Sequence, residues 1–286
     1  MNPVKIYLSI SIAAFCFSPA GAADYSVHKV NSDLSKIPKV DADYWQGVAE
    51  MDVTLMAQMI VKPKPIKAET EKVKIQIVHD GKYISYRMRW SDKEVSEGGK
   101  LAEFSDAIAL EFPVLDNANP PPIFMGALKN PVQIFHWRSQ YQHDEEIGKK
   151  TVQDIYPNMH SDIYPNEFPD RGKLKPATLA ETEMFSPAIA AGNPQASRKK
   201  AVDEMMAEGF GSSVVTPGGN SVGRGTWKDG AWTVVISRAL NCPGGSVLEV
   251  GKSSSLGMAI WQGGQDEVGS RKAITMMWTP FKIEEK

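Results

Sequence analysis

Two pairs of strand-like runs, each joined by an Asp-Gly turn, constrain this chain more than any other feature. Lys72 to Val78 (KVKIQIV) alternates, Asp80-Gly81 turns the chain, and Tyr83 to Trp90 (YISYRMRW) returns. Val222 to Trp227 leads through Lys228-Asp229-Gly230 into Ala231 to Arg238 as a second hairpin. Period-two runs bounded by such turns fold as antiparallel hairpins. In the return strand of the first hairpin Ile84, Tyr86, Met88 and Trp90 share one face. Ser85, Arg87 and Arg89 share the other, so the strand is half-buried. One weak helical period recurs in the remainder, over Arg198 to Gly209 (Val202, Met205, Met206). The expected fold is therefore all-β: an antiparallel β-sandwich of immunoglobulin or DOMON-like type with one short helix.

The other segments fit this frame. Asp24 to Ala49 is polar and irregular with Tyr44-Trp45 as its apolar anchor, and Val53 to Met59 is an expected first strand. Ala107 to Val114 (AIALEFPV) is apolar almost throughout and suits a sandwich interior. Leu256 to Trp261 and a last strand from Lys272 to Ile283 complete the set. Residues 140–198 break the pattern: polar, dotted with proline, with the near-repeat Asp154-Ile155-Tyr156-Pro157-Asn158 and Asp162-Ile163-Tyr164-Pro165-Asn166. Two copies are too few for a solenoid. A long irregular insertion of this kind is usually functional, and we read it as a surface that clasps a partner. A calcium loop built on Asp154, Asp162, Glu167 and Asp170 is the alternative. His143 and His160 in this stretch read as exposed.

Residues 1–22 have the pattern of a secretory signal: Lys5, an apolar run from Ile6 to Phe17, and the small-residue site Ala20-Gly21-Ala22. The run is short for a bilayer span, and no later segment reaches the needed length. The expected product is an exported, periplasmic or equivalent, single domain over residues 23–286. Losing Lys5 leaves 31 basic against 34 acidic residues, a net −3. That balance speaks against nucleic acid or an anionic membrane as partner. Only Cys242 then remains, which excludes an internal disulfide, a thiolate cluster and covalent haem attachment. A metal centre here has to use Met, His, Lys, Tyr or carboxylates.

Such ligands concentrate in Pro120 to Arg138 (PPPIFMGALKNPVQIFHWR). The triple proline stiffens the backbone ahead of Met125 and keeps it out of a central strand. Gly126 permits a turn or a close approach directly behind it. A thioether on such a rim suits an axial haem ligand, and equally an ordinary core plug. In the strand Val132 to Arg138, His136 and Trp137 face opposite sides, and His136 competes as a ligand or serves as a hydrogen-bonded strand histidine. Lys272 opens the last strand after Gly269-Ser270-Arg271. An amine binds iron only when deprotonated, so a ligating lysine must be desolvated. Otherwise Lys272 is a solvated strand-end charge.

Several segments in order carry a resemblance. They are Ile123-Phe124-Met125-Gly126, Pro131 to Arg138, Ala207-Glu208-Gly209-Phe210-Gly211, Gly225 to Val235, Met258 to Gly264, and Gly269-Ser270-Arg271-Lys272. From about Trp45 onward the chain resembles the haem b γ subunit of the type II dimethyl-sulfoxide-reductase family of molybdoenzymes. Ethylbenzene dehydrogenase, chlorate and selenate reductases and nitrite oxidoreductase belong to that group. The resemblance implies one haem b with Met125 and Lys272 as axial ligands on opposite faces, brought together by strand ends on one rim of the sandwich. It implies a non-catalytic electron carrier partnered by a molybdopterin catalytic subunit and an iron–sulfur subunit, with a soluble cytochrome c as redox partner. The 140–198 insertion points toward the nitrite oxidoreductase or nitrate reductase-like branch. Trp137 and Arg138 are expected in the pocket, the ring for packing and the guanidinium for a propionate, while Trp261 either walls the pocket or packs in the core. Lys199, Lys200 and Lys252 compete with Lys272 as the amine ligand.

Overall fold

Among the described residues fourteen strands form a single sheet that folds over on itself. The computed structural model describes residues 25–115, 119–150, 152–158, 191, 193, 200–216 and 218–285. The signal segment, His160, the second DIYPN copy, Glu167, Asp170 and Lys199 lie outside these residues.

The first layer is built on the expected hairpins. β1 (Tyr25–Lys29), β2 (Met51–Thr54), β3 (Met56–Ala57), β4 (Lys72–His79) and β5 (Tyr83–Ser91) open the chain. The second layer starts with β6 (Ala107–Pro113) and β7 (Val132–Arg138). Helices α1 (Ser139–Glu146) and α2 (Val152–Ile155) follow. Then come β8 (Val202–Ala207), β9 (Val214–Val215), β10 (Val222–Lys228), β11 (Ala231–Ala239), β12 (Ser253–Trp261), β13 (Ala273–Ile274) and β14 (Thr279–Ile283). The spatial order is β10-β11-β5-β4-β1-β14-β12-β6-β7-β8-β9. β1 is the seam, parallel to β4 on one side and to β14 on the other.

Across that seam the two halves pack face to face through aromatic side chains. Tyr86 of β5 meets Phe112 of β6 at 5.4 Å and Phe281 of β14 at 6.2 Å between ring centroids. Trp137 of β7 meets Trp232 of β11 edge-on at 5.1 Å. Burying each such side chain contributes roughly 1.5–3 kcal/mol, and together they make the main core. The guanidinium of Arg238 is fully buried among them, 4.8 Å from the Phe135 ring. It is satisfied by donating to the Ser246 hydroxyl and carbonyl at 2.5 and 2.7 Å.

Both outer faces are also covered. Residues around Trp45 close the first layer with Leu34, Val78 and Val235, so the Tyr44-Trp45 anchor does its expected job. On the second layer Ala107, Ala109, Val132, Ile134, Ala259 and Trp261 form a second apolar cluster outside the sandwich. That double burial is why Ala107 to Val114 is apolar at every position but Glu111.

Five local expectations are corrected. Tyr25–Lys29 is a strand rather than irregular chain, because its backbone is paired on both edges although its side chains are mostly polar. The expected strand Val53 to Met59 is two strands broken at Leu55, with β2 joined to β4 and β3 to β13. Arg198 to Gly209 is not the helix: Val202–Ala207 forms β8, paired to β7 and β9, with Asp203 and Glu204 buried. The short helix stands instead at Ser139–Glu146, within the segment read as an irregular insertion; its His143 is tucked against Glu97 at 3.3 Å rather than exposed. The last strand is interrupted at Thr275–Trp278, so Lys272 precedes a two-residue strand inserted between β12 and β3.

Candidate functional site

Outward-facing side chains of β6, β7 and β12 form the floor of a cavity of about 420 Å³. The floor is low because Ala109 and Ala259, which are register partners, carry only methyl groups. Met125 and Lys272 both line this cavity, as do His136, Arg138 and Trp261. The site therefore covers the outer face of one layer and is not at the sandwich rim. Trp137, one position from His136, points the other way. It is fully buried in the core, where a Cβ on Gly225 would lie 2.5 Å from its ring. The aromatic lining of the cavity is Trp261 with Phe124 and Phe210.

The triple proline ends in a turn that seats Met125 with φ of 67°, followed by Gly126 at 73°. Such backbone is unfavourable for a residue with a Cβ, and contacts around it hold it. The Gly209 N–H donates to the Met125 carbonyl at 2.7 Å, and the Trp278 indole donates to the Pro121 carbonyl at 2.7 Å. Gly126 has no substitute, since a Cβ there would stand 2.8 Å from the Asn130 carbonyl. Met125 is partly buried against the outer apolar cluster.

On another wall, Lys272 is half-buried, with its Nζ 4.8 Å from the centre of the Trp261 ring. That ring is fixed by its indole N–H donating to the Gly269 carbonyl at 3.0 Å. The Lys272 carbonyl accepts the Gln58 N–H at 3.0 Å, and the Gln58 amide donates to Ser270 and Val61 carbonyls at 2.8 Å. Desolvation lowers the proton affinity of Lys272, and the nearby Glu111 carboxyl opposes that only in part. An amine in this state gives up its proton more readily than a surface lysine.

Glu111 is the functional candidate that reading the sequence missed. It is the lone ionisable residue in β6 and shares the outer face with Ala107 and Ala109, so the alternation did contain the signal. Burial pushes its pKa up to about 8, against the opposing effects of Lys272 and of the nearby Met125 backbone N–H. His136 lies tilted against Trp261 at 5.0 Å, and its Nε2 accepts from Arg138 Nε at 3.4 Å. The Arg138 guanidinium stacks on Tyr141 at 4.8 Å. Arg138, His136 and Trp261 also border an adjoining cavity of about 150 Å³, forming a polar end to the site. Of the competing lysines, Lys200 donates to the Gly219 carbonyl and Lys252 pairs with Glu249 at 2.7 Å; neither lines the cavity. Among the described residues no group of His, Cys, Asp and Glu is arranged to hold a metal ion.

The donor set suits a flat iron macrocycle. It offers a soft thioether, an amine of lowered proton affinity, a small-residue floor between aromatic walls, and a guanidinium at one end.

Comparison with known proteins follows this geometry. The profile described as ethylbenzene dehydrogenase matches residues 42–273. The chlorate reductase subunit gamma of Ideonella dechloratans is 23% identical over 290 residues, covering 96% of this chain and 95% of that one. A Haloferax mediterranei protein named for the heme subunit of a respiratory nitrate reductase is 21% identical over 237 residues; the match spans 82% of this chain and 64% of the relative. Among solved structures, a family 9 carbohydrate-binding module from Caldicellulosiruptor kristjanssonii matches at a TM-score of 0.43 and 5% identity, over 91% of this chain and 96% of that one. At that score and identity the likeness carries no functional argument.

Proposed function

The chain belongs to the ethylbenzene dehydrogenase family, and we propose that it is the haem b γ subunit of a molybdenum oxidoreductase, an electron carrier rather than its catalyst. Met125 and Lys272 would hold the haem iron through thioether and amine, and Arg138 would pair with a propionate. Bound haem supplies a one-electron ferric–ferrous couple. The residues around it do the rest. The Pro120–Gly126 turn presents the thioether, which favours ferrous iron and raises the potential. Desolvation readies the Lys272 amine. With Met125 and Lys272 both holding the iron, no place would be left on it for a substrate, and small-molecule chemistry would belong to a partner subunit.

The observation that carries this reading is the meeting of Met125 and a desolvated Lys272 in one cavity floored by alanines. The partners are a molybdopterin catalytic subunit and an iron–sulfur subunit, with a soluble cytochrome c as the external redox partner. The names of the two relatives support membership of such a complex. The Haloferax relative's name and the 140–198 insertion favour the nitrite oxidoreductase or nitrate reductase-like branch. Residues 1–22 direct export, and among the described residues no helix is long and apolar enough to cross a membrane.

The test is the visible spectrum of the full-length protein purified from haem-replete cells. The wild type shows low-spin b-type bands that sharpen on reduction. M125A and K272A lose them, and H136A keeps them. A colourless but folded wild type overturns the reading and leaves an exported binding module for carbohydrate or protein. Intact bands in K272A with loss in H136A transfer the second ligand to His136.

A further inference from the structure

The chain reaches Lys272 from a loop and leaves it in a strand of two residues, Ala273–Ile274. The ladder to β3 holds the residues after the amine, with Ala273 opposite Ala57 and Ile274 opposite Met56. The residues before it are held by Gln58, which directly follows β3. Its backbone N–H donates to the Lys272 carbonyl at 3.0 Å and lengthens the ladder by one bond. Its side-chain amide reaches further back and donates to the Ser270 carbonyl at 2.8 Å, across 212 positions of sequence.

The same amide is anchored on its own side of the cavity. Its Nε2 donates a second bond to the Val61 carbonyl at 2.8 Å, and its Oε1 accepts the Ile60 and Val61 N–H groups at 2.5 and 2.6 Å. Gln58 is 4% exposed, and both donors and both acceptor sites of its amide are engaged. A buried polar group so fully satisfied specifies a geometry more than it adds net stability. Ile60 and Val61 on one side, and Ser270 and Lys272 on the other, line the cavity, so this amide sets the spacing between two stretches of its wall.

Lysine carries its amine on a flexible four-carbon stem, so a fixed backbone is what narrows the amine's range. We propose that Gln58 is a positioning residue, which ties the Ser270 and Lys272 carbonyls to residues 58–61 and so sets where the Lys272 amine begins its reach toward iron. This inference rests on the haem reading above.

The experiment compares full-length, haem-loaded wild type with Q58M, Q58A, K272A and M125A. Acetic anhydride probes Lys272 and iodoacetamide probes Met125, each read peptide by peptide by mass spectrometry, because a donor atom bound to iron has no free electron pair to react. In Q58M and Q58A the acetylation rate at Lys272 rises about three- to tenfold, the change in population expected from one lost hydrogen bond. Alkylation of Met125 and acetylation of the surface residue Lys252 keep their wild-type rates. The midpoint potential of both variants moves toward that of K272A and not toward that of M125A.

Four results overturn the proposal. They are a wild-type acetylation rate at Lys272 in a folded variant, an equal acceleration at Met125, a potential that stays at the wild-type value or moves toward that of M125A, or failure of both variants to fold, which makes the role structural. A wild type without low-spin haem, or low-spin bands left intact in K272A, instead dismisses the ligand reading, which separates the two failures.

Discussion

Raising the pH from 5 to 8 should loosen this fold. Asp92, Asp106 and Glu267 are 5%, 0% and 2% exposed. Burial pushes Asp92 up to about 7, Asp106 to about 6 and Glu267 to about 7. The like charge of Asp106 adds to the rise at Asp92, and among the described residues Asp92 Oδ2 and Glu267 Oε1 have no hydrogen-bond partner. Unfolded carboxyls titrate near 4. Between pH 4 and 7 the folded chain thus keeps protons that the unfolded chain has released, and stability falls as pH rises through that window. Each tenfold change in proton affinity is worth about 1.4 kcal/mol. From pH 5 to pH 8 that gives roughly 3 kcal/mol each for Asp92 and Glu267 and about 1 kcal/mol for Asp106. Asp92 and Asp106 are coupled and water entry softens the cost, so the expected fall is at least about 3 kcal/mol. Buried His79, whose proton affinity is lowered, acts in the opposite sense as pH falls below its unfolded value, so the decline is cleanest above pH 6.5. Urea midpoints followed by tryptophan fluorescence at pH 5, 6, 7 and 8 measure it. D92N should flatten the curve and be more stable than wild type at pH 8. A profile that is flat or rises toward pH 8, or a D92N profile parallel to wild type, refutes the reasoning.

Further outcomes follow from other parts of the molecule. Gly225→Ala forces a methyl group to within 2.5 Å of the Trp137 ring and should cost about 1–3 kcal/mol, read as a lower urea midpoint with a low-spin spectrum retained in whatever folds. Trp232→Phe removes the indole N–H that donates to Asp106 at 3.0 Å; a loss of about 1–3 kcal/mol in denaturant melts is expected from the unmade bond. Gly126→Ala meets both a left-handed φ and the Asn130 carbonyl, and should lower the haem potential by misplacing Met125; an unaltered potential in a folded protein contradicts that. Deleting Thr151–Asp170 should impair co-purification of partner subunits while haem content stays at wild-type stoichiometry. Haem loss in that deletion would make the segment part of the pocket instead.

The hairpins were legible because each sets an Asp-Gly turn between two strand-like runs, with alternation in the first, and local chemistry alone decides such a unit. β1 was not, since Tyr25, Ser26, His28 and Lys29 look like surface chain, and parallel pairing to β4 and β14 is long-range information. Val202, Met205 and Met206 imitate a helical stripe; only the partner strands make Val202–Ala207 extended. At the site, the parity of His136 and Trp137 was readable, but not which side faced the cavity. That depended on which layer's outer face the Pro120–Gly126 turn would cover. Met125 and Lys272 were found through the resemblance, and the fold brings both to one cavity. Glu111 was overlooked because a single acid in an apolar strand reads as an edge residue until the covering segment is in place.

Near-infrared magnetic circular dichroism of the oxidised full-length protein tests the haem account most directly, because the band position reports the axial pair. A thioether–amine signature in the wild type that disappears in both M125A and K272A is the predicted result. A thioether–imidazole signature, or a preparation with no iron porphyrin at all, contradicts it.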